Sequence, residues 1–266
     1  MDLMLSDRRA LITGSSSGIG AGLAKTLARE QASVVIHGRD GQRANMICNE
    51  IRSVGGHAVV VLGDITTDDG ADEVSRKALE AFGGIDILVN NAGGIQNPVN
   101  DWFAMPVEDW LGTYNLNIGS TVRLVKRLCP SMVERGWGRV VQIGSTAGQS
   151  GVSPGYASAK AALVNLSFGL SKALKSTGVT VNTVAGGMIE TPLLESFFER
   201  TTEAQGFGND RERTVQFVIE NTMRQAVSRL GIPDDIANMV AYLCSPLADF
   251  ITGANMRVDG GSSPSI

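Results

Sequence analysis

Histidine is almost absent from this chain: His37 and His57 are its 2 copies in 266 residues. A triad built on histidine, or a histidine-rich zinc site, has little to draw on. Cysteine is nearly as scarce. Cys48, Cys129 and Cys244 stand far apart without paired metal-ligand spacing. Such an odd, sparse set suits buried thiols in a reducing compartment better than a disulfide framework. There is no basic cluster and the net charge is -4, which disfavours nucleic acid and anionic membrane as partners. No apolar run is long enough to span a bilayer, and residues 1–13 lack an apolar core followed by a cleavage site. These absences predict a cytoplasmic protein with no metal site.

What is present is size and apolar content. At 43% hydrophobic and 19% charged, the chain can bury the core of one large α/β domain. No internal repeat, low-complexity tract or linker divides it, so residues 1–266 read as a single domain. Strand patterns fall at 9–13, 33–37, 58–62, 85–89, 139–143, 179–184 and 254–258. Helical patterns fall between them at 21–29, 42–54, 71–82, 101–134, 157–174 and 234–243, the last opened by Pro233. This alternation implies a parallel sheet with right-handed crossovers: a Rossmann-type, doubly wound α/β fold with helices on both faces.

The first strand runs into a turn of Gly14, Ser15, Ser16, Ser17, Gly18, Ile19 and Gly20, and a helical pattern follows. Strand, glycine-rich turn and helix together present backbone N–H groups and a helix N-terminus to a phosphate. The spacing is Gly-x-x-x-Gly-x-Gly rather than G-x-G-x-x-G. The second strand ends in Gly38, Arg39 and Asp40. A dinucleotide-binding fold meets the adenosine ribose there, and an arginine suits a 2′-phosphate, so NADP is favoured over NAD. The plain alternative makes Arg39 a surface charge and Asp40 a helix cap. Asp64 follows the third strand and could accept from an adenine amino group or serve as a turn residue. Asn90, Asn91, Ala92, Gly93 and Gly94 follow the fourth, small and polar enough for close contact with a flat ring or ribose.

Tyr156 and Lys160 are four residues apart on a predicted helix, which sets a phenol and an ammonium one turn apart on one face. A nearby cation favours the phenolate, and a drop of about 2 pKa units needs roughly 2.7 kcal/mol. Such a tyrosine exchanges protons with an alcohol or carbonyl oxygen near neutral pH. Ser145, at the end of an apolar run, could hydrogen-bond the same oxygen. Asn117 lies in an otherwise apolar helical stretch and needs partners if buried. The plain alternative for the Tyr-Lys pair is a solvated helix turn.

Taken in order, these motifs resemble the classical short-chain dehydrogenase/reductase family from about residue 5 to residue 261, closing on Val258, Asp259, Gly260 and Gly261. The resemblance implies an NAD(P)-dependent oxidoreductase that interconverts a carbonyl and a secondary alcohol. It makes Tyr156 the general acid/base and gives Ser145 the task of orienting the carbonyl. Lys160 lowers the Tyr156 pKa and holds the nicotinamide ribose, and Asn117 positions a relay water. It also implies a coenzyme site of Gly14, Ser16, Ser17, Gly18, Ile19, Gly20, Arg39, Asp64, Ile65, Asn91, Ala92, Gly93, Tyr156, Lys160, Gly187, Ile189 and Thr191, with Ile189 and Thr191 at the carboxamide. This sequence departs from the family in two places. Gly186 and Gly187 stand where Pro-Gly is common, and the interval from Ser145 to Tyr156 is short.

Residues 187–230 form the expected substrate lid, with two helix-like pieces carrying Phe197, Phe198, Phe207 and Phe217. They suggest a mostly apolar ketone or 3-oxoacyl substrate, unless the rings serve only as core of the lid itself. Leu124, Val125 and Leu128, with Leu163, Leu166, Phe168 and Leu170, put apolar residues on more than one helix face. Together with the resemblance this predicts a homotetramer. Two other functions remain open at this level: an NAD-dependent alcohol dehydrogenase working oxidatively, and a dinucleotide-binding regulator without turnover.

Overall fold

The apolar runs are short and nearly continuous, as expected of parallel strands covered on both faces. In the computed structural model, which describes residues 1–95, 101–149 and 154–263, they pair with one another. The first half of the chain gives β1 (Arg9–Ile12), α1 (Gly18–Arg29), β2 (Ser33–Gly38), α2 (Gly41–Ser53), β3 (Ala58–Leu62), α3 (Asp68–Phe82) and β4 (Ile87–Asn90). The second gives α4 (Val107–Tyr114), α5 (Ser120–Glu134), β5 (Gly138–Ser145), α6 (Pro154–Ala173), β6 (Val179–Gly186), α7 (Glu195–Gln205), α8 (Arg211–Phe217), α9 (Pro233–Cys244) and β7 (Asn255–Val258). The sheet has 7 strands in the order β3-β2-β1-β4-β5-β6-β7, every pair parallel. The order reverses between β1 and β4. A crevice opens there at the carboxyl ends of the strands, the place where this architecture takes its ligands.

Alternation along each strand divides the core. Ile12, Val34, Ile36, Val89, Val141, Ile143 and Val184 face α1, α2 and α9, meeting Leu23, Leu27, Ile47, Ile51, Ile236 and Val240. Leu11, Val35, Leu88, Val140 and Val181 face the other way, onto Val74 and Ala78 of α3 and Leu124 and Leu128 of α5. Burying one such side chain contributes roughly 1.5–3 kcal/mol, so both layers hold the sheet flat against its helices. At the opposite ends of β1 and β4, Arg9 clamps Asp86 with Nε at 2.7 Å and Nη2 at 2.6 Å, and Arg135 adds a contact at 3.3 Å.

One predicted helix is not continuous. The pattern over 101–134 starts only at Val107, because Pro106 adopts extended backbone (φ -60°, ψ 145°) as the cap of α4. A residue before proline is pushed out of the helical region, so the helix cannot begin earlier. Between α4 and α5 the backbone then makes a π-helical turn over Asn115–Gly119. Asn115 braces it by donating to the Thr66 carbonyl at 3.0 Å and accepting from Arg123 at 2.8 Å.

The two predicted pieces between residues 193 and 229 are α7 and α8. Their aromatics are largely consumed by a small core of their own: Phe198, Val218, Ile219 and Leu230 are buried, with Phe197 packed against them. Phe207 and Phe217 meet edge to face at 5.7 Å. The apolar residues expected to need a second protein surface are also mostly accounted for within the chain. Leu124, Leu128 and Leu163 are buried and Val125 and Leu170 are packed against the core, which leaves Phe168 exposed. No helix among the described residues is long and apolar enough to cross a membrane.

Candidate active site

β1 ends at Ile12, and the chain turns sharply because Gly14 and Gly18 sit in the left-handed region (φ 62° and 53°) that side chains disfavour. Space is as demanding as dihedral angle. A Cβ on Gly20 would lie 2.2 Å from the Gly14 carbonyl oxygen, so α1 can pack under the turn only with glycine there. The turn is stitched to the end of β4. The Thr13 hydroxyl accepts from the amides of Asn91 and Ala92, both at 2.9 Å. Asn91 Nδ2 donates to the carbonyls of Thr13 at 2.8 Å and Gly14 at 3.1 Å. Thr13 thus joins the turn to the Asn-Asn-Ala-Gly segment.

Ser17 caps α1 with its backbone extended and no side-chain cap bond, and the first turn of α1 carries no acidic residue. Its leading N–H groups and the positive end of the helix dipole therefore face the crevice uncompensated by side chains. Thr191 faces this end: its Cγ2 lies 3.4 Å from where a Cβ on Gly18 would stand. Ser16 covers the end of β2, with Oγ 2.9 Å from where a Cβ on Gly38 would be.

Farther along the same edge, Arg39 is exposed and Asp40 caps α2, accepting from the Arg43 amide at 3.1 Å. Asp64 acts as a turn residue through Oδ1, which accepts from the Thr66 amide at 3.0 Å and hydroxyl at 2.7 Å. Those two bonds hold its carboxyl below the usual range, with smaller help from Arg39 and His37 against the cost of burial. The side chains of Ile65 and Ile189 are buried in the core, so only their backbone can face a ligand. Gly186 remains in β6, opposite Ser145. Gly187 packs so closely that a Cβ would sit 2.8 Å from Asp259 Cα; the strand runs undisturbed through the position where the family commonly has proline. The short interval after Ser145 includes residues 150–153, outside the described residues. His37, from sequence only one of a scarce type, lies buried beneath the glycine turn, its Nδ1 accepting from the Gly14 amide at 3.2 Å. Nothing in its sequence neighbourhood marks it.

The second half of the site comes from β5, α6 and the π-helical turn. Ser145 ends β5 and hydrogen-bonds the hydroxyl of the half-buried Tyr156. Lys160, one turn along α6, is buried, and its Nζ donates to the Ile143 carbonyl at 2.8 Å. Asn117 is 1% exposed; its Nδ2 donates to the carbonyls of Gly94 at 2.7 Å and Thr113 at 2.8 Å, and Oδ1 accepts from the Gly94 amide at 3.2 Å. π-helical turns are common at functional sites, and this one carries Asn117 to the crevice. Lys160 and Asn117 meet at Gly93: a Cβ there would lie 2.6 Å from Asn117 Oδ1 and 3.2 Å from Lys160 Nζ.

The titration of Tyr156 differs from the sequence expectation. Burial raises the phenol pKa above its ordinary value, and the Ser145 hydrogen bond lowers it by less. The Lys160 ammonium donates to a backbone carbonyl, and burial brings its own pKa down to about 8. Desolvation is the largest influence at both groups.

A parallel doubly wound sheet, a glycine turn at its switch point and a Tyr-Lys-Ser-Asn cluster beside it define a dinucleotide-dependent oxidoreductase. The comparisons name the family: residues 8–202 match the short chain dehydrogenase family, and the chain belongs to it. It is 34% identical over 260 residues to a 3-oxoacyl-(acyl-carrier-protein) reductase FabG of Vibrio cholerae serotype O1, covering 97% of this chain and 98% of that one. Among solved structures it resembles L-sorbose reductase of Gluconobacter frateurii, complexed with NADPH and L-sorbose, with a TM-score of 0.92, 31% identity and 100% of both chains covered. It also resembles a 7α-hydroxysteroid dehydrogenase complexed with NADH and 7-oxoglycochenodeoxycholic acid, with a TM-score of 0.86, 33% identity and 98% and 96% of the chains covered. The protein is therefore an NAD(P)-dependent oxidoreductase acting on carbonyl and alcohol groups.

The residues present fit a dinucleotide. The positive end of α1 is open to a diphosphate, and the notch at Gly14, Gly18 and Gly93 is one that side chains would fill. Among the described residues no group of three or more His, Cys, Asp or Glu side chains could hold a metal ion.

Proposed function

We propose that this chain catalyses the reversible reduction of a ketone to a secondary alcohol, with NADP(H) preferred and Tyr156 as the proton donor. The observation that carries the reading is the meeting of Lys160 and Asn117 at Gly93, beside a Tyr156 hydroxyl already bonded to Ser145. Backbone N–H groups of the Gly14–Gly20 turn, Ser16, Ser17 and Ile19 among them, would hold the diphosphate. Arg39 would take the 2′-phosphate and the Asp64–Ile65 segment the adenine. Asn91, Ala92, Gly93 and Lys160 would hold the nicotinamide ribose, and the Gly187, Ile189 and Thr191 segment its carboxamide. When bound, the nicotinamide supplies the hydride for reduction or accepts it for oxidation.

The protein's own part is orientation and proton movement. Ser145 and Tyr156 donate hydrogen bonds to the substrate oxygen and fix the carbonyl. As charge builds on that oxygen, Tyr156 gives up its proton, and the phenolate left behind is stabilised by the Lys160 cation. Asn117 would position a water that returns the proton by way of Lys160. A phenol kept protonated by burial suits this direction, since it enters each cycle loaded.

On the substrate side, Leu193 at the root of the lid is 81% exposed, which supports a substrate with an apolar body, a ketone or 3-oxoacyl compound. The proposal extends to a homotetramer, supported by the exposed Val107, Leu111, Val122, Phe168 and Phe250. The experiment is turnover with NADPH and NADH on cyclic ketones, β-ketoacyl thioesters and sugars, with light scattering on the same sample. Expected are higher kcat/KM with NADPH, preference for apolar ketones, and a tetrameric mass. Higher kcat/KM with NADH, equal activity on sugars, or a monomer would each overturn the corresponding part. Coenzyme binding without turnover on any compound would favour a regulator.

A further inference from the structure

His37 belongs to none of the groups that hold or move a proton above, yet it touches the glycine turn with three of its own. Its carbonyl accepts from the Ser15 amide at 2.8 Å. Its amide donates at 2.9 Å to the Ser15 hydroxyl, which in turn donates to the Ile12 carbonyl at 2.7 Å. Its ring Nδ1 accepts from the Gly14 amide at 3.2 Å, and across the ring Nε2 faces the Gly63 carbonyl at 3.3 Å. The ring thus spans from the start of the turn to the residue just past β3.

These partners settle where the ring hydrogen sits. An amide N–H only donates and a carbonyl only accepts, so Nδ1 carries the lone pair and Nε2 the hydrogen. A second ring proton would be forced against the Gly14 N–H. The surroundings agree with a neutral ring: burial lowers its pKa to about 4, with Arg39 adding to the fall and the Gly63 carbonyl and Asp64 opposing it.

Gly14 needs such a partner. At φ 62° it is the pivot of the turn, and a glycine pivot flanked by three serines has wide conformational freedom when untethered. Its amide is directed into the protein at the ring, leaving the N–H groups nearer α1 for a ligand. A tether that fixes the turn before the ligand arrives reduces the ordering cost of binding. We propose that His37 is a positioning residue for the coenzyme, its ring tying the Gly14 amide to the Gly63 carbonyl and so presetting the turn that receives the diphosphate. This rests on the coenzyme reading given above.

Two substitutions separate the ends of the tether. In His37→Asn the side-chain oxygen falls near the place of Nδ1 and can still accept from Gly14. In His37→Gln the amide reaches toward Gly63 and leaves the Gly14 N–H without its acceptor. NADPH affinity is measured by fluorescence titration, together with coenzyme KM, kcat at saturation, thermal midpoint and hydrogen exchange of the Gly14 amide. His37→Gln is expected to weaken NADPH binding about tenfold and raise coenzyme KM to match. Its kcat should stay unchanged and its Gly14 exchange should quicken. His37→Asn should bind NADPH within about threefold of the wild type. NADPH binding by His37→Gln as tight as the wild type, even with a lowered thermal midpoint, would overturn the inference alone. So would a Gly14 amide in the wild type that exchanges as fast as an open turn, a readout that needs no variant to fold. A wild type that binds neither NADPH nor NADH would overturn the coenzyme reading and this inference with it.

Discussion

The Lys160 ammonium lies 5.5 Å from the centre of the Tyr156 ring, while its hydrogen bond goes to the Ile143 carbonyl. It therefore acts on the phenol through space. Burial of the phenol works in the opposite sense and keeps its pKa above the ordinary value. In the proposed reaction the resting phenol is the proton donor, and the cation takes effect once negative charge has formed.

Replacing Tyr156 by Phe removes that donor and leaves the ring in place. Steady-state turnover should fall by about 10²–10⁴-fold, with NADPH affinity by fluorescence titration within about threefold of the wild type. A Phe variant with normal kcat would remove Tyr156 from the reaction.

Lys160 makes stability depend on pH in a stated direction. Its pKa falls from about 10.4 in the unfolded chain to about 8 in the fold. Between those values the unfolded state holds a proton that the native state has released, so this group's contribution to stability rises with pH through that window and is least favourable below about pH 8. Lys160→Met should therefore melt at a higher temperature than the wild type at pH 7, with the gap closing toward pH 10. A lower melting temperature at pH 7 would mean that the bond to Ile143 outweighs the desolvation of the charge.

The clamp between β1 and β4 should work the other way. Burial would raise the Asp86 pKa, but the hydrogen bonds and charge of Arg9, with Arg135 behind, leave it below the ordinary range. Its contribution is present above the unfolded pKa of about 3.9 and lost as pH falls through the lower native value. Asp86→Ala should lower stability by about 3–5 kcal/mol in urea denaturation at pH 7, and by less below pH 4. An unchanged urea midpoint would show that the clamp contributes nothing.

All three cysteines are free and buried. Burial raises the Cys48 thiol and pushes Cys129 and Cys244 up to about 12, the latter opposed weakly by Arg139. Ellman's reagent at pH 8 should find no fast thiol in the native protein and 3 after denaturation. A thiol that reacts within seconds in the native state would contradict this burial.

Gly20→Ala tests the tightest point of the turn, where the new methyl would need to displace the Gly14 carbonyl. Overpacking of this kind costs about 1–3 kcal/mol, and NADPH affinity should fall more than thermal stability because the backbone that moves belongs to the turn proposed to receive the coenzyme. Wild-type affinity in this variant would show that the turn can give way freely.

Much of the architecture could be read before the coordinates. Apolar runs of four to eight residues between helical patterns located all 7 strands of the sheet, because a strand buried on both faces has no polar alternative. Helix boundaries were less legible: periodicity over 101–134 does not register that Pro106 bars a helix from crossing it, nor that the helix widens after Tyr114. Pair spacing brought Tyr156 and Lys160 to one face but not the direction of the ammonium, which depends on the Ile143 carbonyl of another strand. His37 was invisible for the same reason. Its partners, Gly14 and Gly63, are 23 and 26 residues away in sequence, and no local pattern records a ring that fits between them. The phenylalanines of the lid pointed to apolar contact, and the contact they make is chiefly with each other.

The widened turn at Asn115–Gly119 also says where this chain can change length. One surplus residue in a regular helix would advance everything after it by about 100° around the axis, and a π-helical turn takes up that surplus locally. Leu124 and Leu128 therefore reach the sheet much as they would from an unbroken helix. Deleting a single residue there should restore regular winding and keep both leucines inward, while Asn117 loses the bulge that brings it to Gly94. The packing of α5 tolerates such a loss; the cluster beside Gly93 does not.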